Sequence, residues 1–445
     1  MGLEEQVLKR VVPSAEEEAR IRATAEDVKH RVAATVRGRG IDAEPLLVGS
    51  VAKGTHLSEA EIDIFVAFPR DTSRETLETV GLDLGEFLKD KKRMYAEHPY
   101  TRGRWNGFEV EVVPCYRITD ASQRMSAVDR TPLHAAYVIG KLAPGQRDQV
   151  RLLKAFCEGV GVYGAEARVQ GFSGYLCELL VLKYGTFRGA LEAATGWRHG
   201  EAVALEGPPS RSFPEPLVVV DPVDAGRNVA SAVGEETLAT FVHAATAFLA
   251  KPRIEFFFPR PRRPLSASAA RVLLRRRGTT LLGVTFLAPP LTDDILYPQV
   301  RKAHRAVEDA CRKASFRGQR SRFAVVGGSV LLLFEFEVFA LPAVEKHRGP
   351  PVWVKNAEDF LRRWRGAKGA LSAPYIEGDH WAVDVRRGAT DAAGLLRARL
   401  GELSLGSHLD RAAKKARFLK DAQLFTKAFL PEVTHLLDPR FPWEI

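Results

Sequence analysis

Residues 49–69 read GSVAKGTHLSEAEIDIFVAFP, and their reading decides the fold. An apolar run, Pro45-Leu46-Leu47-Val48, leads into a turn at Gly49-Ser50. A polar, helix-compatible stretch follows to Ser58, and then a strand from Ile62 to Phe68, rich in β-branched and aromatic residues. Glu61 and Asp63 stand two apart where that strand begins. A strand repeats every second residue, so both carboxylates leave on one face and Ile62 and Ile64 on the other. Adjacent carboxylates are costly unless a positive charge neutralises them, and a divalent metal is the natural neutraliser.

Gly107 to Cys115, GFEVEVVPC, reads as a second strand. Phe108, Val110 and Val112 share one face; Glu109, Glu111 and Val113 share the other. Paired beside the first strand, Glu111 or Glu109 adds a third carboxylate, the donor set of a two-metal phosphoryl-transfer site. The Gly49-Ser50 turn offers backbone N–H groups and a hydroxyl to phosphate oxygens.

The longer strings VGSVAKGTHL, EIDIFVAFP, YAEHPY, EVEVVPCY, AVDRTPLH, VRLLKAFC, GVYGAE, GFSGYLCELL and VDPVDAGRNVA run in order from Val48 to Ala230. They resemble the archaeal-type (class I) tRNA CCA-adding enzymes of the nucleotidyltransferase superfamily. DDILYPQ, from Asp293 to Gln299, extends the resemblance weakly. It implies an α+β multidomain fold with a polymerase-β-like nucleotidyltransferase head, a helical central domain and an α+β C-terminal region. The expected boundaries are 1–142 for the catalytic head, 143–252 for the nucleotide-binding central domain and 253–445 for the tRNA-binding part.

The resemblance implies template-independent addition of CCA to tRNA from CTP and ATP, with Mg²⁺ and release of pyrophosphate. By it, Glu61, Asp63 and Glu111 are the metal ligands. Gly49, Ser50, Lys53, His134, Lys154 and Tyr163 hold the nucleotide's sugar and triphosphate, and Arg227 reads the base edge. His98 lies near the primer's 3′ end. Arg260, Arg262, Arg263, Arg275 and Arg276, with Arg277, meet tRNA phosphates. Two departures stand out. The family usually has Asp at Glu111 and Arg at Lys53. Glu111 is ranked first as third ligand, Glu109 second, and a dead site third. A related RNA 3′ nucleotidyltransferase of the poly(A) or oligoadenylate type, and a tRNA-binding protein with a degenerate site, are the alternatives.

The whole chain agrees with this reading. Its 445 residues predict several domains, and 45% hydrophobic content supports real cores. A net charge of +10 suits a polyanionic partner. Four scattered cysteines, Cys115, Cys157, Cys177 and Cys311, imply neither a zinc site nor a disulfide framework and fit a reducing cytoplasm. No apolar run approaches the ~20 residues of a membrane span. The expectations allow a homodimer. Helices are expected over 14–37, 72–91, 149–160, 174–185, 235–250, 297–316 and 354–365. Trp353, Trp364 and Trp381 are expected in cores.

Overall fold

The computed structural model describes residues 2–95 and 99–445. Contacts divide the chain into two units, 1–261 with 441–445, and 262–440.

The first unit opens with α1 (Leu3–Val11) and α2 (Ala15–Gly38), the second capped by Ser14, whose hydroxyl accepts from the Glu17 N–H at 3.1 Å. Then come β1 (Glu44–Val48), the short α3 (Gly49–Lys53), β2 (Glu61–Phe68), α4 (Arg74–Asp83), β3 (Lys89–Tyr95), β4 (Pro99–Trp105) and β5 (Phe108–Tyr116). Their sheet has the order β1-β2-β5-β4-β3, with β2 and β5 parallel. Ile62, Ile64, Val66, Val110 and Val112 are fully buried against Ile21, Val28 and Val32 of α2 and Leu77 of α4.

The expected helix over 72–91 is really α4 followed by β3. Lys91 and Arg93 therefore stand on β3 rather than at a helix end. They pair with Glu86 at 2.9 and 3.1 Å. On the sheet's second face, α5 (Thr131–Lys141) packs Ala135 against Phe65, Ala67, Val113 and Cys115. That face therefore changes character along its strands. It is acidic where β2 and β5 begin and apolar where α5 covers it.

The rest of this unit is α6 (Gln146–Val160), α7 (Gly174–Tyr184), α8 (Phe187–Ala194), β6 (Glu201–Val203), β7 (Leu217–Asp221), β8 (Asp224–Asn228) and α9 (Glu235–Ala250). Phe156, Phe187, Phe241 and Phe248 form its aromatic centre, with Phe156 5.6 Å from both Phe187 and Phe248. Trp443 stacks on Phe256 at 5.3 Å, which brings the last residues into this core.

The second unit runs α10 (Ala267–Arg277), β9 (Thr280–Leu287), α11 (Asp293–Lys313), β10 (Arg317–Val326), β11 (Ser329–Val338), β12 (Val344–Pro351), α12 (Ala357–Trp364), β13 (Tyr375–Glu377), β14 (His380–Arg386), α13 (Ala392–Arg399), α14 (Leu409–Ala413), β15 (Arg417–Lys420) and α15 (Leu430–Leu437). Its four-stranded sheet, β10-β11-β9-β15, packs α11 on one face and α10 with α15 on the other. A three-stranded sheet, β12-β14-β13, sits beside α12. Contrary to expectation, Trp353 is 72% exposed. Among the described residues, no helix is long and apolar enough to cross a membrane.

Candidate active site

The pairing of β2 with β5 places Glu61 opposite Glu109 and Asp63 opposite Glu111. On the far side of β5, Arg104 is opposite Glu109 and Arg102 opposite Glu111. Two rows result, each acid, acid, arginine. Parity puts all six side chains on one face. Asp63 also presses on the turn before it. A Cβ on Gly49 would lie 1.8 Å from Asp63 Oδ2, and Gly49 has φ of 68°. Close approach and a left-handed backbone both demand glycine there.

Burial raises the Asp63 pKa to about 7, helped by the neighbouring Glu61 charge. Burial likewise raises Glu111 to about 7, with Asp63 as the next cause. Arg102 lies among these groups. Its Nη2 donates to Glu61 Oε1 at 2.6 Å, its Nε donates to Glu109 Oε1, and the same Nε is 3.6 Å from Glu111 Oε1. As the side chains lie, no group of three or more His, Cys, Asp or Glu among the described residues is gathered tightly enough to hold a metal ion. The chemistry of the donors does fit one. Four carboxylates share this face with Arg102 inserted among them, and burial, with like-charge neighbours second, raises the pKa of Asp63 and Glu111. Hard oxygen donors with surplus negative charge suit a divalent cation such as Mg²⁺.

Beside the rows is a buried knot of cations around Glu178. Lys53 Nζ donates to Glu178 Oε2 at 2.5 Å, and Thr55 Oγ1 donates to Oε1 at 2.5 Å. Lys154 Nζ donates to the Thr55 carbonyl at 3.0 Å and lies 3.6 Å from Glu178 Oε1. Burial works against the Glu178 charge, yet Lys154 and Lys53 together hold its pKa below the ordinary value. Burial lowers Lys154. A Cβ on Gly174 would sit 3.1 Å from the Tyr163 hydroxyl and 3.3 Å from Lys154 Nζ, so this glycine makes room for both.

A third group centres on Asp221, at the end of β7. His134 Nε2 and Arg227 Nη1 lie 2.9 and 2.8 Å from Asp221 Oδ2, and the Tyr175 hydroxyl donates to Oδ1 at 3.2 Å. His134 stacks on Tyr175 with centroids 4.2 Å apart. Burial opposes the Asp221 charge. His134 and Arg227 prevail and pull its pKa down to about 2. Burial lowers His134 itself. Lys53 Nζ is 5.8 Å from the Tyr175 ring, which joins this group to the cation knot.

The fold thus brings together Gly49, Lys53, Glu61, Asp63, Glu111, His134, Lys154, Tyr163 and Arg227, with Ser50 on α3. Arg102, Tyr175, Glu178 and Asp221 escaped the sequence reading. Glu178 had a signal, as the lone acid in the apolar helix GYLCELLVLKY. His98 lies outside the described residues. Arg260, Arg263, Arg275 and Arg276 are exposed. Arg262 instead donates to the carbonyls of Asp438, at 2.5 Å, and Arg440, while Arg277 donates to Glu335 at 2.6 and 3.0 Å. Both guanidiniums are therefore already engaged within the second unit.

Three family models match the chain: "Nucleotidyltransferase domain" over 26–134, "tRNA nucleotidyltransferase, second domain" over 148–258, and "CCA-adding enzyme, C-terminal domain" over 277–420. A CCA-adding enzyme of Methanosarcina barkeri is 38% identical over 416 residues, covering 92% of this chain and 91% of its own. One from Thermoplasma acidophilum is 37% identical, covering 94% of each. One from Methanothermobacter thermautotrophicus is 40% identical, covering 91% and 90%. Among solved structures, a cytoplasmic RNA terminal U-transferase aligns over 56% of this chain and 93% of its own, at 15% identity and a TM-score of 0.42, too slight a likeness to carry an argument. The relatives match nearly end to end, and the carboxylate rows and both polar knots fall within the matched head and second domain; the chain belongs to the CCA-adding enzyme family of nucleotidyltransferases.

Proposed function

We propose that this protein completes tRNA 3′ ends with C, C and A, using CTP and ATP and releasing pyrophosphate. The observation that carries the reading is the Asp63–Glu111 row, with Glu61 beside it, set within reach of the Lys53 charge. Glu61, Asp63 and Glu111 would hold divalent ions, Mg²⁺ by donor type. Bound there, such ions would activate the acceptor hydroxyl and neutralise charge on the α-phosphate and the leaving group.

The remaining roles belong to the chain's own groups. The tRNA 3′ oxygen forms the new bond to the α-phosphorus, the α–β bridging bond breaks, pyrophosphate leaves and the hydroxyl proton passes to solvent. Gly49 lets the turn run tight against Asp63, so that Ser50 and the α3 backbone face the phosphates. Lys53 and Lys154 bring two charges against the single charge of Glu178, and the surplus is available to a triphosphate. Tyr163 and His134 complete that contact. Asp221 aims Arg227, whose planar fork suits a base edge. The exposed Arg260, Arg263, Arg275 and Arg276 are the stronger candidates for tRNA phosphates. A cytoplasmic setting suits four buried, free cysteines.

The test is purified protein with tRNA lacking its 3′ end, labelled CTP or ATP, and Mg²⁺. Stepwise extension is expected. Binding of tRNA without incorporation would replace this reading with that of a degenerate binding protein.

A further inference from the structure

Arg102 has no role in the proposal above, yet the sheet itself delivers it to the carboxylates. Strand β5 is the middle strand, with β2 on one side and β4 on the other. Whatever residue stands opposite Glu111 on β4 must join the Asp63–Glu111 row, and that residue is Arg102. Its guanidinium reaches past its own row to Glu61 and Glu109 in the next. The side chain is 33% exposed, so solvent reaches it and it has room to withdraw.

Resting on the metal-ligand reading of Glu61, Asp63 and Glu111, we propose that Arg102 is an exchangeable counter-cation: it neutralises the carboxylate face until a divalent ion binds, and the ion must displace it. The Glu61 oxygen that accepts from Arg102 at 2.6 Å is one that reading assigns to the ion. Two cations cannot occupy the same oxygens, and Arg102 alone cannot balance the Glu61, Glu109 and Glu111 carboxylates it lies against. The ion therefore gains by entering, but must first break the Arg102 contacts. Arg102 is thus a positioning residue that sets how much free metal the site requires. Arg104, opposite Glu109, is one row further from Asp63 and does not take this role.

Calorimetric titration of the full chain with MgCl₂ alone, without nucleotide or tRNA, tests this. Removing a positive charge within about 4–6 Å of the ligands predicts roughly tenfold tighter Mg²⁺ binding by Arg102→Gln. Arg102→Lys, which keeps the charge and loses the fork, should fall between Arg102→Gln and the unaltered protein. In EDTA, Arg102→Gln should melt below the unaltered protein, and saturating Mg²⁺ should close that gap. Equal or weaker Mg²⁺ binding by Arg102→Gln, while Asp63→Asn abolishes binding, overturns the exchange and leaves the metal site standing. Undiminished binding by Asp63→Asn overturns the metal-site reading itself, and the exchange with it.

Discussion

Asp63 and Asp221 are the same residue type in the same unit, and their surroundings drive them in opposite directions. Burial penalises both charges. Around Asp63 the nearest company is more acid, and its pKa climbs to about 7. Around Asp221 the company is His134 and Arg227, and the pKa falls to about 2. The first carboxylate belongs to an unbalanced group that gains from an added cation. The second belongs to a balanced one, complete as it stands, whose work is to hold other side chains in place. A list of acidic residues does not distinguish these roles, but the neighbours across each strand do.

The largest effect expected on this contrast is at Asp63. Asp63→Ala should lower nucleotide incorporation by roughly a thousandfold or more, since metal assistance is worth several kcal/mol. Its melting temperature in EDTA should not fall, because the substitution relieves buried like-charge repulsion. Gly49→Ala should fail in the same assay, as its methyl group would strike Asp63 Oδ2. Unchanged incorporation by Asp63→Ala would break the comparison at its acidic end.

Glu111 sharpens it. Glu111→Ala should lose about a hundredfold in turnover, the order expected for removing one group that stabilises transition-state charge. Glu111→Asp should remain active, and Glu109→Ala should matter much less. Activity lost at Glu109 and retained at Glu111 would show that the row opposite Asp63 is not the catalytic one.

At the balanced end, Asp221→Asn should act on stability. It leaves the Arg227 guanidinium without its buried partner, a loss of about 3 kcal/mol in urea unfolding. Arg227→Ala should instead weaken CTP and ATP use or relax discrimination against UTP and GTP by about tenfold, in the range of one well-placed polar contact. If efficiency and selectivity both survive, base reading lies elsewhere.

The smallest effect is on pH dependence, and its sign differs between the two sites. In EDTA, the Asp63 contribution is fully present below its ordinary pKa of 3.8 and is lost as pH rises through about 7. The Asp221 contribution is present above 3.8 and is lost as pH falls towards 2. Melting temperatures across pH should therefore drop with rising pH in a way that Asp63→Asn flattens, and drop at acid pH in a way that Asp221→Asn flattens.

The strand alternation in EIDIF and FEVEV was enough to place Glu61 with Asp63 on one face of the first strand and Glu109 with Glu111 on one face of the second, because strand geometry is local. The ends of α2, α7 and α9 were legible for the same reason, through caps, glycines and apolar spacing, whereas α6 begins at Gln146, ahead of the expected start at 149. Local signals misled at 72–91, where β3 follows α4 because a place at the sheet edge outweighed helix propensity. They also misled at Trp353, where aromatic character says nothing of whether a partner covers it.

By itself, the sequence determined which residues could serve: a glycine turn, alternating acids, and an ordered series of strings matching one family. Only the tertiary structure decided their company. That Asp63 faces Glu111 rather than Glu109 depends on the register between strands distant in sequence, and that Arg102 meets Glu61 and Glu109 depends on the order of strands in the sheet. That Lys53, Thr55 and Lys154 share Glu178 depends on how α3, α6 and α7 pack. Charge acts through distance in space and through the water excluded around it, and neither is written along a chain.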